Sequence, residues 1–501
     1  MIEKIGRLGT ETAVYGVSTV VGRFLTFLLT PFYANILSPG DLGIVATLYS
    51  YIAFLNIVYH YGMDISYMKY VSTLELGNRK ETFTVPFVSV AVSSLVFSIL
   101  LLANAPSVSE LVGAGRENSG LVGYAAMILF LDAVSHIPFA ALRMNRQARN
   151  FASVKLAGIV VNVICAVLFL VEFGMGLEGI FLAGVASSAV TLLLLSPTII
   201  GNLSVSWSRK MFRSLLSYGL PTLPAGLAAI VIQVADRPIL ESLTDLRTVG
   251  IYQANYRLGI FMMLIVSMFE FAWRPFSFAH ARDEDAQRLF ARVMTYLFLV
   301  MAGVFIILFF FLEDLAKAPI FFGYSLLPES YWEGLPVVPV ILLAYVFLGI
   351  STVCSAGLYI EKKTGILPAI AIAGAVLNVA ANWLLIPHWG MHGAAVATLL
   401  SYVLMALFMY RSSQRVYHVE YESGRMLRLL VVSVTVCAAG VLITPPIPIF
   451  LWRLLLILLF VAGLRWLRFF ERSELAAMKG LLSRSTTRDI PPKAPLPGNG
   501  N

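Results

Sequence analysis

The sequence predicts an all-α polytopic membrane protein with about fourteen transmembrane helices. The chain of 501 residues is 58% hydrophobic and only 13% charged, whereas soluble domains carry about 25% charged residues. Apolar runs of the roughly 20 residues that cross a bilayer recur along nearly the whole length. The connections between these runs are short. No soluble domain is therefore expected, and long unbroken apolar runs are not the alternating pattern of a β-barrel.

The apolar runs define the predicted spans. In chain order they cover 11–36, 42–64, 82–103, 120–141, 154–172, 177–200, 214–238, 247–272, 290–312, 335–360, 365–386, 391–410, 427–444 and 447–467. Pro221 and Pro224 interrupt the seventh run, and prolines remove backbone donors and kink a helix. We expect a helix break there. It serves either as a gate beside a transport cleft or only as a kink in the packing.

The positive charges lie mainly in alternate connections, as the positive-inside rule requires. With the N-terminus placed in the cytoplasm, most of the 36 Lys and Arg residues fall on the cytoplasmic side, and Arg23 and Arg257 fall within spans. Both termini are therefore predicted to be cytoplasmic. The net charge of +8 suits an anionic inner leaflet, so membrane lipids are expected partners and nucleic acid is not.

This topology makes a testable prediction. Reporter fusions after Ser38, Pro106 and Pro446 should read as external, and fusions after Arg209 and Glu471 should read as internal. Alkaline phosphatase and fluorescent-protein fusions measure the two locations directly. A C-terminal fusion that reads as external would mean that the number of spans is odd, and the predicted orientation would be wrong.

The chain offers few signals for bound metals or cofactors. Cys165, Cys354 and Cys437 each lie within an apolar run, where a thiol usually serves as a small packing residue, and their positions lack metal-ligand spacing. A Gly-rich phosphate loop is also missing. We therefore expect no metal, no cofactor and no catalytic residue.

A stretch in the last third of the chain repeats an earlier one without a gap. GAVLNVAANWLLIPHWGM begins at Gly374, and GIVVNVICAVLFLVEFGM begins at Gly158. The two share Gly, Asn, Val and a final Gly-Met at matching positions, so Asn162 corresponds to Asn378. A mid-helix Asn is either a hydrogen-bonding residue between helices or a substrate contact. The repeat therefore indicates two similar halves.

The repeat also sets the predicted domains. Because six spans separate the copies, both halves enter the membrane from the same side, as in a parallel repeat. We expect a six-helix bundle in 1–213, a second in 214–424, two additional helices in 425–470 and a disordered cytoplasmic tail in 471–501. Two like halves around a cleft are typical of transporters that alternate access.

The chain resembles a known family at three places. They are GRFLTFLLTPFYANILSPGDLGIVATL near the start, LTDLRTVGIYQANYRLG in the middle, and YIEKKTGILPAIAIAGAVLNVAANWLLIPHWGMHGAAVATLLS later. These segments are similar to polysaccharide exporters of the multidrug/oligosaccharidyl-lipid/polysaccharide superfamily, the O-antigen-type flippases. The resemblance covers nearly all of the first twelve spans.

The resemblance implies an activity and a location. A lipid-linked oligosaccharide, carried on a polyprenyl diphosphate, would move from the inner to the outer leaflet of a bacterial or archaeal cytoplasmic membrane. The protein would act as a monomer and not as an enzyme. A polysaccharide polymerase is a candidate partner.

Arg23 and Arg257 are the main candidate substrate residues. Each lies near the middle of a span, where a charge costs at least about 2.5–3.5 kcal/mol to insert, and they occupy corresponding ends of the two halves. Guanidinium groups bind phosphate oxygens in a bidentate manner, so both are expected to attract the diphosphate. The alternative is that each pairs with an intramembrane acid and holds helices together.

A further candidate lies in FEFAWRPFSF, at the inner end of the eighth span. Arg274 there is interpreted either as an interfacial anchor beside aromatic side chains or as a sugar-binding residue.

Two i, i+4 pairs of titratable residues are candidates for coupling or charge balance. Asp132 and His136 on the fourth span form either a proton-responsive pair or, as we prefer, a counter-ion group for Arg23. His60 and Asp64 on the second span lie nearer the inner interface, where gating or simple solvation is expected.

Two other functions remain open. A cation-coupled drug exporter of the multidrug and toxin extrusion branch would share the helix pattern, although two mid-membrane arginines disfavour a cationic substrate. A membrane glycosyltransferase or polymerase would need a large external loop with catalytic acids. The longest outer loop, EDLAKAPIFFGYSLLPESYWEG, is short for that purpose.

Overall fold

The computed structural model describes residues 20–75, 77–321, 324–443, 447–471 and Glu474. Within these residues, twelve helical segments have the length and hydropathy to cross a bilayer, and Val20–Ile36 is a shorter apolar helix. The predicted first span begins at residue 11, so its start lies outside the described residues. The same holds for the fusion site after Pro446 and for most of the predicted tail.

The helices follow the predicted spans closely. In the first part of the chain they are α1 (Val20–Ile36), α2 (Pro39–His60), α3 (Met63–Thr73), α4 (Arg79–Ala103), α5 (Ala105–Leu111), α6 (Ser119–Met144), α7 (Ala148–Val167) and α8 (Gly176–Asn202). Together α2 and α3 form one crossing, Pro39–Thr73, and a π-helical turn, Leu168–Glu172, continues α7.

The second part of the chain contains shorter helical pieces and longer helices. They are α9 (Arg209–Gly219), α10 (Leu223–Val234), α11 (Asp236–Leu243), α12 (Leu246–Tyr256), α13 (Ile260–His280), α14 (Ala286–Lys317), α15 (Val337–Ile360), α16 (Leu367–Val416), α17 (Ser423–Leu442) and α18 (Ile449–Trp466). A small antiparallel hairpin, β1 (Pro319–Phe321) and β2 (Tyr324–Ser325), lies between α14 and α15.

The long helix α16 contains two of the predicted spans. Its backbone is non-helical at Gly390, where φ is 51° and ψ is −131°. A Cβ atom built on Gly374 would lie 2.7 Å from Met405 Cγ, whereas a straight helix would separate these residues by roughly 45 Å. The chain therefore reverses at Gly390, and the two arms match the predicted spans 365–386 and 391–410. Counted with α1, about fourteen segments cross the membrane, as predicted.

The sequence repeat is also a repeat of backbone geometry. Arg146 and Lys362, at matching positions, both adopt positive φ angles of 56° and 55°. Gly174 and Gly390, also at matching positions, have φ angles of 61° and 51°. Positive φ is uncommon for residues other than glycine, so its recurrence at the same offset confirms pseudo-symmetric halves.

The two halves meet where α2 crosses α12. A Cβ atom on Gly43 would lie 1.8 Å from the Leu246 carbonyl oxygen, and one on Gly250 would lie 1.8 Å from the Pro39 carbonyl oxygen. Small residues let helix backbones approach this closely in membrane proteins. The contact is reciprocal, since each glycine lies against a backbone carbonyl of the other helix. Only glycine fits at either position.

Side-chain polarity is arranged as the bilayer requires. Large apolar side chains such as Leu193 and Leu384 remain 69% and 67% exposed, which suits contact with lipid. Several buried hydroxyls donate a hydrogen bond to a carbonyl oxygen of their own helix, as when Ser50 Oγ donates to the Ala46 carbonyl oxygen at 2.7 Å. Lipid tails are as apolar as leucine, so helix association relies on such close packing and hydrogen bonding.

The predicted break at Pro221 and Pro224 is present in the structure. The segment Leu220–Thr222 is 3₁₀-helical and separates α9 from α10. Gly219, just before it, lies against Gly62, and a Cβ atom on Gly219 would approach the Gly62 carbonyl oxygen at 2.8 Å. The break therefore abuts the turn between α2 and α3. A gating role for the two prolines stays a prediction.

The structure divides into two compact units, 1–421 and 422–501. In the second unit α17 and α18 pack together, and Arg425 Nη2 donates to Glu474 Oε2 at 2.9 Å. Residues 422–424, which we assigned to the second bundle, belong to this unit. The division of 1–421 into two domains near residue 213 stays a prediction.

Candidate functional site

Two neighbouring cavities lie inside the first unit. The first has a volume of about 340 Å³ and the second about 270 Å³. Both are lined by Ala46, Tyr49, Gln253 and Arg257. Because α2 and α12 belong to different predicted halves, the cavities lie along the predicted interface between them, and transporters built from two such repeats bind substrate there.

Arg257 occupies the centre of this arrangement. It begins the 3₁₀ segment Arg257–Gly259 that separates α12 from α13, about 16 Å along the helix from Leu246 at 1.5 Å per residue. Among the described residues, no hydrogen bond or ion pair engages its guanidinium group. A positive charge at this depth without an acidic partner is costly. Arg257 is therefore available to bind an anion.

Arg237 also lines the first cavity, but its charge is already neutralised. Its Nη1 atom lies 2.6 Å from Asp236 Oδ1, and the two side chains are only 6% and 1% exposed. Tyr252 donates to Asp236 Oδ2 at 2.6 Å, and the guanidinium group lies 4.1 Å from the Tyr256 ring centroid. This closed network anchors the cavity wall, whereas Arg257 carries the uncompensated charge.

Arg23 lies on α1, one turn before Thr26, which lines the second cavity. Its Nη1 atom donates to Ser267 Oγ on α13, and the Phe27 and Phe261 rings meet edge-on at 5.5 Å. Arg23 is exposed and forms no ion pair with Asp132 or any other acid within the described ranges. It is positioned beside the cavities and not among their lining residues.

Asp132 and His136 have different neighbours in the structure. Asp132 lines the second cavity, and its Oδ1 atom accepts a hydrogen bond from Ser188 Oγ at 2.7 Å. His136 instead stacks on His60, with ring centroids 4.3 Å apart. The i, i+4 spacing placed both residues on one helix, but each contacts a different neighbouring helix.

His136, His60 and Asp64 form a separate cluster. The His60 Nδ1 atom lies 3.5 Å from Asp64 Oδ1, and the His136 Nε2 atom lies 3.1 Å from Asn56 Oδ1. The side chains of His60 and Asp64 are only 12% and 14% exposed. We expected gating or simple solvation for this pair; the structure leaves both residues partly buried, and a gating role stays a prediction.

Arg274 is not among the residues that line the two cavities. It pairs with Glu270 at 2.5 Å and is 53% exposed, and its guanidinium lies 5.2 Å from the Tyr359 ring centroid. This arrangement suits an anchor at the membrane interface. A sugar-binding role stays a prediction.

The two matched asparagines have different surroundings. Asn162 lines the second cavity, whereas Asn378 is fully buried and accepts a hydrogen bond from Asn382 Nδ2 at 3.1 Å. The repeat therefore places an asparagine at the same position in both copies, but the two asparagine side chains have different contacts.

Several further neutral polar residues line the cavities among apolar side chains. Ser50, Gln233 and Tyr345 line the first cavity, and Thr30 and Ser187 line the second. Sequence reasoning missed them because a neutral polar residue in an apolar run carries no signal of the cavity it faces. Only their proximity to Arg257 in the folded chain identifies them.

The fold is similar to that of solved MOP superfamily transporters. The structure of the lipid II flippase MurJ in an inward closed conformation matches with a TM-score of 0.72 and 15% identity, and the match covers 95% of this chain and 100% of that one. An inward-facing multidrug resistance MATE family transporter of the MOP superfamily matches with a TM-score of 0.63 and 15% identity, covering 78% and 94%.

Sequence comparison identifies the family. The chain belongs to the polysaccharide biosynthesis protein family, whose model matches residues 32–328. It is also 23% identical over 430 residues to an uncharacterized membrane protein of Methanocaldococcus jannaschii, covering 79% of this chain and 83% of that protein. The resemblance to polysaccharide exporters is thereby confirmed.

Proposed function

We propose that this protein is a flippase that moves a polyprenyl-diphosphate-linked oligosaccharide from the inner to the outer leaflet of the cytoplasmic membrane. The observation that carries the proposal is the guanidinium of Arg257, which lines both cavities and has no hydrogen-bond or ion-pair partner among the described residues. A diphosphate supplies the negative charge that this position lacks. The membership in a polysaccharide biosynthesis family supports a glycan cargo.

The other cavity residues fit the rest of such a substrate. The Gln253 amide offers donors, and the Ser50 and Tyr345 hydroxyl oxygens, whose protons are donated to the Ala46 carbonyl and the Tyr256 hydroxyl, offer acceptors to sugar hydroxyls. Cavities of about 340 and 270 Å³ do not hold a long glycan. We therefore assign them to the diphosphate and the first sugars, with the rest of the glycan entering when the halves separate.

Arg23 would act as a second anion contact. Its bond to Ser267 joins α1 to α13, and therefore one half of the repeat to the other. A phosphate oxygen that competes for this guanidinium would loosen the link between the halves. Substrate binding at Arg23 would thus favour their separation.

One observation favours the alternative, a cation-coupled exporter. Asp132 lines the second cavity and is held by Ser188, so a cation or proton has an acidic site to occupy. Asp132 is compatible with a flippase as well, because net export needs either a glycan sink outside or an ion gradient. The two functions differ in the charge of the transported molecule.

Mass spectrometry of lipid-linked intermediates tests the proposal in cells. Deletion of the gene should cause complete polyprenyl-diphosphate-linked oligosaccharide to accumulate, because assembly continues on the inner leaflet while export stops. Complementation with the unmodified gene should reverse the accumulation. An unchanged pool of lipid-linked glycan, together with new sensitivity to cationic drugs, would instead identify a multidrug exporter.

A further inference from the structure

We propose that His60, Asp64 and His136 form a binding site for a divalent transition metal of the Zn²⁺ type. Each residue offers one ligand atom, and these atoms all lie within 4.8 Å of one another. The three residues come from three helices, α2, α3 and α6. This site is separate from the two cavities, since none of its residues lines them.

The ligand set suits a borderline transition metal. Imidazole nitrogens and a carboxylate oxygen bind zinc at about 2.0–2.2 Å, which places ligand atoms roughly 3–3.5 Å apart. The His60 Nδ1 and Asp64 Oδ1 atoms already lie 3.5 Å apart. Closure of the site requires the His136 ligand atom to come from within 4.8 Å of the other two to this spacing. Three protein ligands leave at least one coordination position for water.

Two polar atoms of the cluster have no hydrogen-bond partner within the described part of the chain. They are His60 Nδ1 and Asp64 Oδ1, both buried, although buried polar groups in proteins almost always have a partner. A metal ion would satisfy both atoms at once. This observation separates the cluster from an ordinary buried ion pair.

The outer contacts of the site support the same assignment. The His136 Nε2 atom lies 3.1 Å from Asn56 Oδ1, so a proton on Nε2 would leave Nδ1 with a free lone pair. Metal-binding histidines usually donate their other ring N–H to a fixed oxygen, which sets the tautomer and the ring orientation. Asn56 would therefore act as a positioning residue for the metal ligand.

The location of the site suggests what metal binding does. Tyr61 and Gly62, with φ angles of 31° and 75°, break the helix between α2 and α3. His60 precedes this break and Asp64 follows it, so one ion would bridge both sides and tie them to His136 on α6. Gly62 also abuts Gly219, just before the break in the seventh span. Metal binding would therefore stiffen the point where two interrupted helices meet.

Metal titration of the purified full chain tests the site. Any histidine tag used for purification is removed, and bound metal is stripped from the detergent-solubilised protein with a chelator. Co²⁺ and Zn²⁺ are then added in separate titrations. We expect one equivalent per chain, with Co²⁺ giving visible absorption bands. His60→Gln, His136→Gln and Asp64→Asn should each weaken binding at least about 100-fold, and Asn56→Ala about 10–100-fold.

A matched control separates this site from other histidines. His280 forms an exposed pair with Asp283 at 2.8 Å, so His280→Gln should leave both stoichiometry and affinity unchanged. Absence of a tight equivalent in the unmodified protein would overturn the proposal, whatever the variants do. An equivalent that persists in the His60→Gln/His136→Gln double variant would also overturn it. Neither outcome depends on the identity of the transported substrate.

Discussion

Replacement of Arg257 with alanine should reduce transport of a diphosphate-linked substrate at least about thirtyfold. Loss of one partner from a buried, hydrogen-bonded charge pair costs about 2 kcal/mol or more, and 1.4 kcal/mol corresponds to tenfold in an equilibrium constant. No other uncompensated cation among the described residues lines both cavities, so nothing replaces the lost guanidinium. Lipid-linked oligosaccharide delivered to the outer leaflet, normalised to protein in the membrane, measures the effect.

The controls for this experiment follow from the structure. Arg257→Lys should restore transport only in part, because it keeps the charge and loses the bidentate fork. Arg23→Ala should also impair transport. Arg116, which pairs with Glu110 at 2.6 Å on an exposed loop, provides a matched variant, and Arg116→Ala should behave as the unmodified protein does. Normal export by Arg257→Ala at normal abundance would contradict the anion site.

Replacement of Gly43 or Gly250 with alanine should have the second large effect. Each new Cβ atom would lie 1.8 Å from a backbone carbonyl oxygen of the other helix, and backbone cannot move aside as a flexible side chain can. Overpacking costs about 1–3 kcal/mol, so a fall in melting temperature of roughly 1–3 °C is expected for a chain of this length. The substitution should also weaken closure of α2 on α12, which engineered cysteine pairs across the crossing can measure.

Gly40 supplies the matched control on the same helix. A Cβ atom there would lie 3.7 Å from Ser38 Oγ, which is ordinary contact, so Gly40→Ala should leave the melting temperature nearly unchanged. The Gly43→Ala/Gly250→Ala double variant should cost less than the sum of the single variants, because one separation relieves both clashes. Equal stability of Gly43→Ala and Gly40→Ala would mean that the two helices are not in close contact.

Much of the fold could be predicted because membrane physics limits the choices. A bilayer requires runs of about 20 apolar residues, and such runs are visible in one sequence. The repeat could be predicted because its matched residues have a structural role: Gly174 and Gly390 both adopt positive φ angles. Pro221 and Pro224 predicted the position of the helix break because a proline removes the backbone N–H donor at its own position.

The site was predictable only in part. Charge near mid-membrane identified Arg257 without any knowledge of its neighbours. The partners of His136 could not be predicted in this way, since helix spacing links it to Asp132 whereas packing of α6 against α2 brings it to His60. The proposed metal site draws three ligands from three helices, and such a set leaves no spacing pattern in the sequence. Contacts between helices depend on how each helix is rotated about its own axis, and the hydropathy of the sequence does not give this rotation.

Transport by the purified protein in liposomes tests the central claim most directly. Fluorescent polyprenyl-diphosphate oligosaccharide is placed in the membrane, and its movement between leaflets is followed by access to a membrane-impermeant quencher. The unmodified protein should equilibrate this lipid rapidly, Arg257→Ala should not, and a neutral glycolipid of the same size should move poorly. Equal movement of the diphosphate-linked and neutral lipids by both proteins, or movement of cationic dyes alone, would contradict a flippase built around Arg257.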